Sequence, residues 1–134
     1  RRYLIPYIDI GMDVRLFDGD YSMFGQVILS MPCKPCMQCT GFLTNEKLGI
    51  EAAKYGDVGG NPQVVWSNGV LASTAVGVLV NLTTGWAKTT NENVYLEYDG
   101  NLQVLKEHPR LRFPSCTCNH YLLENIGIPQ FKKL

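Results

Sequence analysis

Two short cysteine pairs, far apart in the chain, hold the side chains best suited to chemistry. Cys36 and Cys39 are separated by two residues near the front, and Cys116 and Cys118 by one residue near the end. Tetrahedral zinc takes four thiolates in this way, two from each of two turns that the fold brings together. Cys36, Cys39, Cys116 and Cys118 are therefore the expected metal ligands, with His120 in reserve should Cys118 point away. A four-thiolate zinc has no open position for substrate, so the ion would be structural and would tie the start of the chain to its end. Buried thiols and a disulfide are the alternatives. A redox role for Cys36 and Cys39 alone fits less well, because Pro35, Thr40 and Gly41 suit a metal-binding turn better than the start of a helix. Cys33 makes the count of five odd. It reads as a spare surface thiol, or as a substitute ligand, in a reducing cytoplasmic compartment.

Other reactive side chains have plainer readings. Asp18 belongs to a turn. Asp9 and Asp13 read as solvated or structural, although either could face a substrate in a larger enzyme. His108 precedes Pro109 with no serine or cysteine nucleophile placed beside it, and reads as a surface histidine. Trp66 and Trp86 read as packing anchors near the ends of a helix. Asn81, Leu82 and Thr83 form a glycosylation sequon, discounted because it falls on that helix. No residue is assigned a catalytic or a cofactor-binding role.

The elements that would position the cysteines can be followed along the chain. Leu4 to Ile10 is rich in strand formers, with Pro6 suggesting an edge or irregular position. Asp18, Gly19 and Asp20 break the chain, and Gln26 to Met31 forms a second strand that pairs with the first. Residues 32–39 make the first knuckle. Thr44 caps a short helix over 45–55, ended by Gly56. Asn61 and Pro62 read as the cap and first residue of a long helix through Val64, Leu71, Val78 and Leu82 that Gly85 ends. Val94 to Tyr98, the turn Asp99, Gly100 and Asn101, and the return Leu102 to Lys106 read as a hairpin. The second knuckle, 116–120, follows. The expectation is α+β for this piece: an antiparallel sheet of about four strands, one long buried helix on one face, the other face uncovered, and a zinc-stapled end.

At 134 residues the chain is a single domain or part of one. Apolar residues are 46% and charged residues only 18%, which suggests a surface that expects a partner. Twelve basic residues balance twelve acidic ones with no basic patch, which argues against nucleic acid. The stretch between Asp57 and Lys88 is uncharged and long enough to cross a bilayer. Ser67, Asn68, Ser73, Thr74 and Asn81 dilute it, so a core or interface helix is preferred and no membrane is expected. The chain opens at Arg1 without a signal-like segment, which reads as a fragment or processed product.

In order, these features resemble the C-terminal half of the ThiF/MoeB/HesA superfamily, the bacterial relatives of ubiquitin-activating enzymes. Ile5, Pro6, Tyr7 and Ile8 followed by Gly25, Gln26 and Val27 are similar to the family's strand pair after its nucleotide site. Pro35, Cys36 and Cys39 resemble its first zinc knuckle. The helix after Gly59, Gly60, Asn61 and Pro62 resembles the one following its crossover loop. Val94 to Lys106, then Cys116 and Cys118, resemble its closing hairpin and second knuckle. The resemblance covers nearly the whole chain. It implies the C-terminal half of a Rossmann-like α/β fold in an adenylyltransferase that activates the C-terminal carboxylate of a ubiquitin-like protein. The ATP and magnesium would belong to the full-length enzyme, because no glycine-rich phosphate cradle occurs here. Residues 40–60 lack the cysteine of thioester-forming relatives, and Cys-x-Cys replaces the usual Cys-x-x-Cys in the second knuckle. The uncharged helix and the resemblance together imply a homodimer. The alternative is a self-sufficient zinc-stabilised module that binds a partner without catalysis.

Overall fold

The computed structural model describes residues 3–54, 64–87, 92–111 and 120. Four strands form an open antiparallel sheet in the order β1 (Tyr7–Phe17), β2 (Asp20–Ser30), β3 (Val94–Asp99) and β4 (Val104–Glu107). Helix α1 is Asn45–Lys54 and helix α2 is Val65–Thr84. The class is α+β, as expected for this piece.

The first hairpin is longer than the sequence reading allowed. Asp18 and Gly19 both adopt positive φ, +51° and +88°, between the paired residues Phe17 and Asp20. That is the two-residue turn whose twist matches the flanking strands, and aspartate–glycine is a favoured pair for it. Residues 11–17, read as a loop, therefore belong to β1. In the second hairpin the return strand starts at Val104, because Gln103 takes a left-handed φ of +56°.

Two asparagines bracket β3. The Met31 N–H donates to Asn93 Oδ1 at 2.8 Å, and Asn93 Nδ2 donates to the Pro35 carbonyl at 2.7 Å. At the other end, Asn101 accepts from the Met23 N–H and donates to the Tyr21 carbonyl, both at 2.8 Å. Side-chain amides thus continue the sheet's hydrogen bonding where the β3 backbone stops.

Each face of the sheet has its own core. On one, Val27 and Tyr98 pack with Leu71 and Ala75 of α2, flanked by Ile8, Met12, Val78 and Leu96. On the other, Ile28 and Tyr95 pack with Met37 of the knuckle, flanked by Phe42 and Leu43. The second face, expected to be bare, is thus covered at the knuckle end. Alternation explains the split: Val27 and Ile28 are neighbours, so they point to opposite faces.

The long helix departs from expectation in three ways. It starts at Val65, with Val64 as a cap residue that makes no side-chain cap bond; Asn61 and Pro62 lie outside the described residues. It is mostly exposed rather than buried: its buried residues are Ser67, Leu71 and Ala75, a single stripe at four-residue spacing. The tryptophans are not packing anchors, being 60% exposed at Trp66 and 69% at Trp86. The helix ends where expected, at Gly85 with φ +66°, whose N–H donates to the Asn81 carbonyl. Its hydroxyls fold back on its own backbone: Thr74 donates to the Val70 carbonyl, Thr83 to Leu79 and Thr84 to Val80. Those bonds satisfy the threonines within the helix, whose exposed side carries Val65, Val70, Val76, Leu79 and Val80 among the polar Asn68 and Ser73. By length and composition α2 could cross a membrane, with mean hydropathy 1.4.

Ser67 is fully buried, and its hydroxyl finds no hydrogen-bond partner among the described residues. An unsatisfied buried hydroxyl costs about 1–3 kcal/mol. Ser67→Ala removes it and improves helix propensity. The substitution is expected to stabilise the fold by about 1 kcal/mol in urea unfolding, and a loss of stability would refute this account of the site.

Candidate metal centre

The knuckle is a compact turn built on one carbonyl. Met37 O accepts from the Phe42 N–H at 2.9 Å, the Leu43 N–H at 3.1 Å and the Thr40 hydroxyl at 3.1 Å. The Thr40 N–H donates to the Cys36 carbonyl, and Gly41 turns the chain with φ +69°. Met37 anchors the loop in the core beside Tyr95. This folding turns both thiols inward: Cys36 is 1% exposed and Cys39 2%. Cys33, at φ +60°, is exposed.

Three donor atoms meet at this turn. Cys36 Sγ and Cys39 Sγ are 3.6 Å apart, and His120 Nδ1 lies 3.3 Å from the first and 3.4 Å from the second. Zinc–sulfur bonds of about 2.3 Å and zinc–nitrogen bonds of about 2.0–2.1 Å give tetrahedron edges of about 3.8 and 3.6 Å. The observed triangle is close to one face of that tetrahedron, slightly contracted. Two thiols and an imidazole are also the donor set that zinc favours. The residues fit the ion.

The structure thus brings together Cys36 and Cys39, as predicted, and adds His120, which the sequence offered only in reserve. Cys116 and Cys118 lie outside the described residues. A Cys-x-x-Cys pair announces itself by spacing; a histidine two residues past Cys118 carries no comparable signal, and only the path of the chain selects it.

The surroundings join knuckle and sheet. The Phe42 and Tyr95 rings meet edge to face, 5.9 Å between centroids. Tyr95 is buried, which raises its phenol pKa despite the opposing charge of Arg110. Lys34 pairs with Glu92 at 2.9 Å across the turn. Asn93, bonded to the Pro35 carbonyl, fixes the turn's entry.

The other singled-out acids have local roles. Asp13 pairs with Arg15 at 2.6 Å on the exposed side of β1. Asp9 accepts from the Tyr7 hydroxyl at 3.3 Å and from Gln26 Nε2 at 3.4 Å, and its charge, with partial burial, raises the Tyr7 pKa. His108 is not the plain surface histidine expected: it is half-buried and stacked on Tyr95.

Compared with family models, curated proteins and solved structures, the chain matches none.

Proposed function

We propose that this chain is the zinc-bearing C-terminal portion of a ThiF-like adenylyltransferase, serving as scaffold and platform for the protein substrate. The observation that carries the reading is the meeting of Cys36, Cys39 and His120. It joins the turn after β2 to the segment after β4, the two places where the resemblance puts zinc knuckles. The meander of two hairpins with α2 on one face is compatible with the C-terminal half of a Rossmann-like fold. The bound zinc would supply folding free energy and no catalysis. Cys116 is the preferred fourth ligand, because three residues between it and His120 match common ligand spacings better than the single residue after Cys118.

In this reading the complete enzyme uses ATP and magnesium to adenylate the C-terminal carboxylate of a ubiquitin-like protein. It works in the cytoplasm, where the thiols stay reduced, and it forms a homodimer. The uncharged, exposed side of α2 favours a second reading, a partner-binding module without catalysis. ATP–pyrophosphate exchange separates the two, measured on the polypeptide that joins this segment to an upstream nucleotide-binding half. Exchange that requires a free C-terminal carboxylate on an added ubiquitin-like protein supports the enzyme. Zinc-loaded, folded protein without exchange supports the module. Cys116→Ser and Cys118→Ser, assayed for zinc per chain, identify the fourth ligand.

A further inference from the structure

The exit of β4 is joined to the knuckle side of the sheet, and the joint there is built on His108. The His108 N–H donates to the Tyr95 carbonyl at 2.8 Å, and its ring stacks on Tyr95 with centroids 4.3 Å apart and planes 11° from parallel. Its Nδ1 accepts the Arg110 N–H at 3.1 Å, which closes the 3₁₀ turn Pro109–Leu111. Arg110 then reaches the knuckle, donating from Nη1 to the Gly41 carbonyl at 3.2 Å. The exit of β4 is thus tied to the metal turn through Arg110, whose own N–H is held by the His108 lone pair.

We propose that His108 is an acid-sensitive latch: neutral, it holds the exit of β4 against the knuckle; protonated, it releases that exit. An imidazole that accepts at Nδ1 carries its proton on Nε2. A second proton lands on Nδ1 and faces the Arg110 N–H, so an acceptor becomes a donor opposite a donor. The charges around the ring come from four elements. Arg110 in the turn, Lys106 on β4 and Lys47 on α1 oppose the new charge, while Glu97 on β3 favours it. Burial against Tyr95 opposes it most, and the net effect lowers the His108 pKa below its ordinary 6.5.

Linkage sets the direction. As pH falls, the unfolded chain protonates this histidine before the folded chain does, so stability declines from 6.5 downward through the lower native value. Release of the turn frees Arg110 from Gly41, a contact on the knuckle itself. Any effect on metal binding rests on the metal reading; the latch itself does not.

The test is NMR on the full 134-residue chain, zinc-loaded and chelator-treated, from about pH 8 to about pH 5. Two quantities are followed, the His108 ring shifts and the exchange protection of the Arg110 amide, corrected for intrinsic rates. Protection is expected to fall about fivefold, the equivalent of one net hydrogen bond, with the midpoint of the ring titration. His108→Phe keeps a ring for Tyr95 but no acceptor, so its protection should be low and flat with pH. His108→Asn, which does not titrate, should also be flat and serves if the phenylalanine variant folds poorly. Ring titration with unchanged Arg110 protection overturns the latch, as does the same pH dependence in both variants. Absence of bound zinc with an intact ring-coupled transition sinks the metal reading and leaves the latch standing.

Discussion

Replacing Cys36 with serine is expected to abolish zinc binding and to destabilise the chain by more than about 4 kcal/mol, the range reached when a structural metal is lost. Cys36 is almost fully buried and touches both other members of the triangle, so no exposed donor can take its place. Metal binding at such a site is folding free energy, because the donors converge only in the folded chain. The checks are zinc per chain by elemental analysis and urea unfolding, with Cys33→Ser as control. Cys33 is exposed and outside the triangle, so its loss should leave both readings unchanged. Chelation of the wild type should reproduce the Cys36→Ser unfolding curve. One zinc retained in Cys36→Ser would remove this residue from the ligand set.

The second large effect is expected at Gly25, in the middle of β2. A Cβ there would lie 2.6 Å from Leu71 Cδ1, 2.9 Å from the Gly11 carbonyl oxygen and 3.1 Å from Met12 Sδ. Both cross-strand and cross-layer neighbours are therefore too close for alanine, and one of them is backbone. Gly25→Ala should cost about 2–3 kcal/mol through overpacking, with α2 displaced from the sheet. Leu71→Ala, at a site with no exposure, should cost about 2–5 kcal/mol on its own. The two are coupled, because Leu71→Ala removes the atom that Gly25→Ala would meet. The double variant is expected to fall at least about 1 kcal/mol short of the summed losses. The Gly11 carbonyl remains, so the relief is partial. Strict additivity in urea unfolding would show that Leu71 does not rest on Gly25.

Much of this architecture could be read where one local signal dominated. The second hairpin had alternating residues around an aspartate–glycine–asparagine turn. Thr44 does cap α1, its hydroxyl accepting the Lys47 N–H at 3.2 Å. Gly85 ends α2 as a left-handed residue must. The first hairpin is less legible, although Asp18 and Gly19 form the same kind of turn. The reason is that its outer end, with Arg15, Asp20 and Ser22, extends beyond β3 and does not need a hydrophobic pattern. An apolar sequence overstates the burial of α2, because it does not reveal which neighbours exist. Threonines that bond their hydroxyls to the helix's own carbonyls let much of its surface be apolar without burying it. At the metal turn, spacing pointed to two of the three donors that converge, and tertiary geometry added the third.

The sheet's double core has a consequence for how strand pairing stays in place. In a one-sided sheet, sliding β2 by a residue would turn its apolar set to water, and hydrophobic burial alone would forbid the slip. Here Val27, Ile28 and Leu29 are all buried, with Val27 serving the α2 side and Ile28 the knuckle side. A slip would exchange oily residues between two oily compartments at little loss of transfer free energy. Alignment must therefore come from features that do not tolerate exchange. The two-residue turn at Asp18 and Gly19 fixes β1 against β2. The bare Cα of Gly25 fits beneath Leu71, where Phe24 or Gln26 would not. Asn93 and Asn101 index the strand against β3, each able to reach its partners in only one alignment. Hydrophobicity assembles this fold, and a glycine and two amides choose which of its near-equivalent versions is kept.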